Sequence, residues 1–282
     1  MNIDRIDVGN DRSTIRIDLL GSVSVVVRGE RTELRSSKLR AMLATLALDA
    51  GRTVYYDDLV AELWPRDILK DSRNALQANA TRIRRTLAHC TRGSGQSVAL
   101  RAVYNGYILD IPPHRVDGPL FLDLSARGSG ALSEDPQSAV DLLQEALRLW
   151  RGPALLNTHA GERCRGAAAF LEERRLLAWE DLVCAQLLLG DDRSAVAELQ
   201  RLTAAFPTRE GLCELLMLAL YRGGRQSEAL ELFHRTRRHL DEELGVEPSR
   251  SLQRLYEEIL AQDTALDSAE AVLRRAAFGY AL

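Results

Sequence analysis

The sequence has few cysteines, no long apolar run and none of the short motifs of common enzymes. Its four cysteines are scattered without a C-x-x-C pair, which argues against a disulfide framework or a zinc site. No stretch of 18 apolar residues is present and the N-terminus lacks a signal-peptide segment, so we expect a cytoplasmic location without membrane contact. The patterns G-x-x-x-x-G-K-[ST], G-x-S-x-G and H-E-x-x-H are missing, and we expect neither an enzyme nor a metal or cofactor site.

Acidic residues are missing from one long internal segment. Between Ser72 and Leu109 there is no Asp or Glu, although the segment carries six arginines. Residues 1–118 hold 18 Lys and Arg against 14 Asp and Glu, a net charge of +4, so the remainder carries −7 of the total of −3. A basic and an acidic half predict different partners for the two halves.

The basic half carries a pattern of strands, helices and a hairpin. Alternating apolar residues over 15–34 predict short antiparallel strands. Apolar spacing and flanking Ser, Asp, Gly and Pro predict three helices, over 36–50, 56–64 and 71–88. Residues 98–111 predict a β-hairpin, because Asn105-Gly106 favours a type I′ turn with positive φ at both central residues. This order is that of a winged helix-turn-helix with an extra N-terminal β-sheet, with the third helix in the recognition position.

The third helix has two unlike sides. One is an apolar stripe that must pack on the first two helices, formed by Leu76, Ala80, Ile83 and Leu87. The other side suits base edges in the major groove, where forked donors and acceptors read guanine or adenine and small side chains meet the thymine methyl. The predicted base-reading residues are Asn74, Gln77, Ala78, Thr81, Arg82 and Arg85. The alternative is that an arginine-rich face of this kind is merely solvated.

A second set of residues is predicted to hold DNA phosphates. It lies at the starts of the first and third helices, on the flank of the third helix and in the hairpin, where phosphate contacts would fix the protein's register. The set is Lys38, Arg40, Arg73, Arg84, Arg101 and Asn105.

The acidic half predicts a helical repeat. Residues 187–207 and 219–240 superpose at a shift of 34 positions, with Gly190 matching Gly224 and Ala195 matching Ala229. This spacing is typical of tetratricopeptide repeats, whose stacked helices form concave surfaces for protein segments. The whole chain is therefore predicted to be mainly α with a small β component, with an all-α tetratricopeptide-like C-terminal domain.

The stretches SSKLRAMLATLALDAGRTV, YYDDLVAELWP, RNALQANATRIRRTLA and NGYILDIPPHRVDGPLF resemble the DNA-binding domain of the Streptomyces antibiotic regulatory protein family, which is similar to OmpR-type winged helices. The end LDEELGVEPSRSLQRLYEEIL resembles the bacterial transcriptional activator domain. The resemblance implies a DNA-binding domain at 13–115, an activator domain at 118–260 and, at 261–282, a tail or a final helix. One departure is Asn79-Ala80, where the family usually has an aromatic residue and a larger aliphatic one, and we expect looser packing there.

The resemblance also implies a function. Members of the family activate transcription by binding short direct repeats of double-stranded DNA near the promoter −35 region, usually as a homodimer. They recruit the RNA polymerase holoenzyme through its sigma factor and other subunits, often for an antibiotic gene cluster. The alternative kept open is a scaffold or sensor whose repeats bind a protein or small ligand, with DNA binding secondary.

Overall fold

A computed structural model describes residues 15–65, 71–92, 98–158 and 161–276 of the chain. The chain divides into two compact units. The first comprises the residues up to Asp123 together with Arg148–Arg174, and the second comprises Leu124–Leu147 together with the residues from Arg175 onward. The fold is mainly α with a small β component, as the sequence predicts.

In the described ranges, the first unit begins with two small antiparallel sheets and the helices between their strands. Its elements are β1 (Ile15–Asp18), β2 (Ser24–Val27), β3 (Glu30–Glu33), α1 (Ser37–Leu48), β4 (Thr53–Tyr55), α2 (Tyr56–Leu63), α3 (Ser72–Cys90), β5 (Ala99–Val103) and β6 (Gly106–Asp110). One sheet has the order β1-β2-β3 and the other the order β4-β6-β5. Sequence reasoning missed β4, whose three residues are too few to show an alternation.

The predicted apolar positions form the core of this unit. Ile15 and Ile17 of β1 are fully buried, and the stripe on α3 is buried along its whole length. Asn79 and Ala80, the departure from the family pattern, are both buried as well. Burial of these faces removes apolar surface from water, which is the main favourable term in forming such a layer.

The side chains at the N-termini of α1, α2 and α3 differ in whether they cap their helix. The side chain expected from the sequence caps α3, but not α1 or α2. Asp71 caps α3 by accepting the backbone N–H of Asn74. Ser36 occupies the capping position of α1 but makes no side-chain cap bond. The sequence offers Asp57 and Asp58 as caps of α2, and that interpretation is wrong, because α2 begins at Tyr56 and both carboxylates lie within its first turn. There they face the positive end of the helix dipole instead.

The elements that follow the second sheet in the described ranges are helices. They are α4 (Asp117–Ala131), α5 (Pro136–Arg148), α6 (Glu162–Leu188), α7 (Asp192–Ala205), α8 (Glu210–Arg222), α9 (Gln226–Leu244), α10 (Arg250–Leu260) and α11 (Ala269–Ala276). The segment expected to be a tail or a final helix thus contains a helix, α11, in which Val272 is buried. None of the helices in the described ranges is long and apolar enough to cross a membrane.

The predicted 34-residue repeat is present in the second unit. Gly190 and Gly224 both adopt positive φ, at 78° and 73°, between successive helices. The residue after each glycine donates its N–H to a carbonyl five positions back, at 2.9 and 2.8 Å, which closes both helix ends in the same way. Ala195 and Ala229, which occupy the same position in the two repeats, are fully buried. A small side chain at this position lets the neighbouring helices pack closely.

Candidate nucleic-acid interface

The side of α3 opposite the core is open to solvent. All six residues predicted to read bases are exposed, while the apolar stripe on the other side is buried. Within the described ranges, the guanidinium groups of Arg82 and Arg85 have no carboxylate partner. Two such cations on an exposed helix face create a positive electrostatic potential, which favours an anionic partner.

Two of the predicted readers already make hydrogen bonds within α3. The side-chain amide of Asn74 donates to Asp71, the capping residue. The hydroxyl of Thr81 donates to the carbonyl of Gln77 at 2.9 Å, so its hydrogen is already used within the helix. Gln77, Arg82 and Arg85 therefore offer donors that their own helix does not use, whereas the amide group of Asn74 is already bonded to Asp71.

Aromatic rings support two of the predicted phosphate contacts. The Nζ of Lys38 lies 4.9 Å from the centre of the Trp64 ring, and the guanidinium of Arg73 lies 5.4 Å from the centre of the Tyr56 ring. A cation over an aromatic face is stabilised without losing its charge. Both side chains can therefore be held in place and still attract a phosphate.

Arg40, unlike Lys38 and Arg73, is bound to backbone carbonyls. Its Nε donates to the carbonyl of Asn157 and its Nη1 to the carbonyl of Leu34, both at 2.6 Å. The side chain is half-buried. Its donors therefore serve to join α1 to two loops of the first unit.

Arg84 connects α3 to the hairpin, which we call the wing (β5, β6 and the turn between them). Its Nε donates to the carbonyl of Leu100 at 2.8 Å, and its guanidinium lies 5.8 Å from the centre of the Tyr107 ring. The pKa of Tyr107 is raised to about 12, mainly by burial of the hydroxyl group and to a smaller extent by its hydrogen bond with Tyr56. The ring therefore stays neutral beneath the arginine at physiological pH.

Arg101, in the wing, does have an acidic partner. Its Nε lies 3.1 Å from a carboxylate oxygen of Asp110, across the hairpin. Asp110 follows directly after the acid-free segment, so the antiparallel pairing of β5 with β6 supplies the carboxylate that the linear sequence lacks there. Both side chains are more than half exposed, and such a pair is worth only about 0.2–1 kcal/mol, so a phosphate can compete for Arg101.

The predicted type I′ turn is wrong in its detail. Of the residues at the wing tip, only Asn105 has positive φ, at 54°. The turn consists of Tyr104 and Asn105, and Gly106 is the first residue of β6. A Cβ on Gly106 would lie 2.4 Å from the carbonyl oxygen of Val54, so the close approach of β4, a strand that sequence reasoning missed, is what requires glycine at this position.

Sequence reasoning also missed several aromatic residues of this region. Tyr56 and Trp64 lie beneath cations, and Tyr104 projects from the wing tip with 98% of its surface exposed. The doublet Tyr55-Tyr56 at the start of α2 and an aromatic residue inside a predicted turn are the signals that could have identified them. Basic and aromatic side chains together are typical of surfaces that bind nucleic acids.

Contacts from distant segments hold the first unit together. Asp117 accepts the backbone N–H of Leu19 at 2.6 Å and of Leu20 at 3.2 Å, and it pairs with Arg151. Glu62, on α2, accepts the backbone N–H of Arg163 at 3.0 Å and of Cys164 at 3.2 Å. Residues 148–174 thereby brace both β1 and the helix that precedes α3.

Comparisons with known proteins agree with this architecture. The bacterial transcriptional activator domain matches residues 116–260. The chain is 48% identical over 260 residues to the transcriptional regulator RedD of Streptomyces coelicolor, covering 92% of this chain and 74% of RedD. It is 36% identical over 257 residues to the regulatory protein DnrI of Streptomyces peucetius, covering 90% and 94% of the two chains. The solved structure of Mycobacterium tuberculosis EmbR in complex with a low-affinity phosphopeptide superposes with a TM-score of 0.85 at 30% identity, covering 94% of this chain and 69% of that one.

Proposed function

We propose a promoter-binding role for this chain, which belongs to the Streptomyces antibiotic regulatory protein family, a family of transcriptional regulators rather than enzymes. In this proposal α3 lies in the major groove of double-stranded DNA, and the protein activates transcription from the bound promoter. The observation that carries the proposal is the open side of α3, where Arg82 and Arg85 are exposed and have no carboxylate partner in the described part of the chain.

The side chains on this face have the chemistry that base reading requires. An arginine can donate two hydrogen bonds to the O6 and N7 atoms of guanine, and a glutamine can pair with adenine. We assign these roles to Arg82, Arg85 and Gln77, whose polar groups are exposed. Ala78 and the methyl group of Thr81 are small enough to let the helix backbone approach and to meet a thymine methyl. Asn74 joins the set once it leaves Asp71.

The proposed phosphate contacts surround this face. Lys38 and Arg73 keep their charge above aromatic rings, and Arg101 and Asn105 belong to the wing. Arg84 and Arg40 bond to backbone carbonyls, so we assign them the role of positioning the wing and α1. Phosphate contacts of this kind fix the register of the protein and carry little sequence information.

Further parts of the proposal come from the family. The chain would bind direct repeats near the −35 region as a homodimer and recruit the RNA polymerase holoenzyme, at a promoter of an antibiotic biosynthetic gene cluster. The helical repeat of the second unit supports a contact with a protein partner, because stacked helix pairs form surfaces that bind protein segments. Promoter DNA lies in the cytoplasm, where we expect the protein to act.

A footprint on the promoters of neighbouring genes tests this proposal, with RNA polymerase present and absent. We expect protection of two equally spaced sites by the protein alone, extended towards the start site when polymerase is added. Arg82→Ala and Arg85→Ala should each lose about 1–3 kcal/mol of binding free energy and relax the base preference at one position. Arg193→Ala, at an exposed position on α7, is the control that should bind like the wild type.

If both α3 variants bind the protected site like the wild type, the assignment of the reading face is wrong. If the protein protects no promoter site, the second candidate function gains support. That candidate is a scaffold or sensor, favoured by the repeat of Gly190 and Gly224 with its paired helices. It predicts that a pull-down with the wild-type chain captures a binding partner of the helical repeat. The Arg82→Ala variant should capture the same partner equally well.

A further inference from the structure

The second unit contains the start of a third helix pair. Gln262 has positive φ, at 53°, and Asp263 donates its N–H to the carbonyl of Glu258, five positions back, at 3.0 Å. The chain closes the two earlier helix ends at Gly190 and Gly224 in the same way. The helix α10 therefore takes the place of α8, as the first helix of a pair, and a long second helix is expected after it.

The segment that follows α10 differs from the second helices of the repeat. Those helices, α7 and α9, have 14 and 19 residues, whereas α10 is followed by a 3₁₀ turn (Thr264–Asp267) and by the eight residues of α11. Both the turn and α11 pack against α8, the first helix of the preceding pair. The chain thus folds back over the repeat after α10.

The helix α8 is buried on every side. Nine successive residues, Leu212 to Leu220, are buried, whereas the buried residues of α9 lie along one side and leave the other in solvent. The helices α7, α9 and α10 pack against α8, and residues 264–274 complete its burial. The side of α8 that residues 264–274 cover, which we call the covered face, is therefore apolar surface that solvent would otherwise reach.

Few side chains hold this segment in place. Of residues 264–274, three are buried, namely Leu266, Ala271 and Val272. A helix of eight residues is not stable by itself in water, so α11 keeps its form only while it rests on α8. Segments that bury little apolar surface open without unfolding the rest of a domain. The covered face can therefore become free while the helix pairs stay folded.

We propose that the covered face of α8 is a docking site for an amphipathic helix of a partner protein, and that α11 occupies this site until the partner displaces it. The inference rests on the proposed contact of the second unit with a protein. The class of partner follows from α11 itself, a helix that buries Ala271 and Val272 and keeps Glu270 and Arg274 in solvent. A partner helix with larger apolar side chains would bury more surface in this site and replace α11.

A labelled peptide of residues 262–276 tests the inference as a stand-in for the partner helix, with the full chain as its receptor. Val272→Asp in the full chain places a charge against α8 and should release α11. This variant should bind the peptide at least about tenfold more tightly than the wild type, in which α11 closes the site in at least about 90% of the molecules. Ala269→Asp adds the same charge at an exposed position of α11 and should bind the peptide like the wild type.

Hydrogen exchange of the wild-type chain is the second measurement, and it does not depend on the folding of any variant. The amides of α11 should exchange about a hundredfold faster than those of α8, because α11 opens alone. Equal protection of the two helices would overturn the inference. A folded Val272→Asp chain that binds the peptide no more tightly than the wild type would overturn it as well.

Sedimentation of the DNA-free chain addresses a different occupant. A wild-type dimer that Val272→Asp converts to a monomer would assign the covered face to a second copy of this chain and overturn the inference. None of these measurements uses DNA. A chain that binds the peptide as expected but protects no promoter site would support the docking site and contradict the proposed promoter binding, so the two failures are distinct.

Discussion

At the scale of single residues, distant partners decide what several charged side chains do. Asp18 and Asp117 are both fully buried, and the guanidinium of Arg151 contacts both. Burial of its carboxyl group and the neighbouring charge of Asp18 raise the pKa of Asp117 to about 6, although Arg151 and the N–H of Leu19 oppose the shift. Asp18 also pairs with Arg16 and Arg31, whereas burial of Asp117 and the carboxylate beside it favour a proton on Asp117.

This raised pKa predicts a pH dependence of stability. A carboxyl group whose pKa is higher in the folded than in the unfolded chain binds its proton more tightly when folded. Its contribution to the free energy of unfolding is therefore present at low pH and is lost as the pH rises through about 6. We therefore expect the free energy of unfolding of the wild type, minus that of Asp117→Asn, to decrease by about 1 kcal/mol between pH 5 and pH 7.5.

Denaturant unfolding at both pH values measures this difference. Glu134→Gln, at an exposed carboxylate in the turn after the same helix, is the control and should show the same difference from the wild type at pH 5 and at pH 7.5. A stability difference for Asp117→Asn that stays constant, or grows as the pH rises, would contradict the assignment of a raised pKa to Asp117.

At the scale of elements, small residues set how closely the helices approach. Gly128 of α4 is buried, and a Cβ built on it would lie 2.6 Å from the Cγ of Leu143 on α5. Leu143 is itself fully buried and has little room to move. Gly130, two residues later in the same helix, is exposed, and a Cβ there would meet nothing within 4 Å.

These two glycines form a matched pair for a packing prediction. Gly128→Ala should lower the stability by about 1–3 kcal/mol, because the added methyl group must push α4 away from α5. Gly130→Ala should be neutral or stabilising by up to about 1 kcal/mol, because alanine favours a helix more than glycine does. The thermal midpoints of the two variants measure the difference, and equal midpoints would show that α4 and α5 are not in close contact at Gly128.

At the scale of the whole molecule, the unit that carries α3 is not one continuous stretch of chain. It includes residues 148–174, which lie inside the region matched by the activator domain. Leu155 from this segment joins the same apolar core as the α3 stripe and is only 4% exposed. It does so with φ at 55°, a conformation that costs about 1–3 kcal/mol in a residue with a side chain. Core burial and its N–H bond to Leu19 maintain it.

Leu155 and its neighbour test this division of the chain. Leu155→Ala should cost about 2–4 kcal/mol of stability and weaken promoter binding, because the core beneath α3 loses a side chain. Leu156→Ala, at a residue 58% exposed, should change the stability by less than about 0.5 kcal/mol. Thermal melting and DNA affinity of the two full-length variants measure this. Normal promoter binding by a destabilised Leu155→Ala chain would show that the core does not support α3.

Local patterns in the sequence were sufficient for most of the elements. The 3.6-residue period of α3, the alternation in β1 and β2 and the 34-residue repeat of Gly190 and Gly224 all depend on neighbours within one element or one repeat. The chain's own periodicity therefore predicts them. It also predicts which face of α3 is open, because burial of the stripe at Leu76, Ala80, Ile83 and Leu87 leaves the opposite side to solvent.

Only the tertiary structure decided what the side chains around that face do. Arg40 binds the carbonyl of Asn157, 117 positions away, and Arg101 pairs with Asp110 because two strands lie antiparallel. Gly106 is required by the approach of β4, and Leu155 enters a core built mostly from the other half of the chain. Apart from the pair across the hairpin, these depend on contacts between residues far apart in sequence, and periodicity carries no information about any of them.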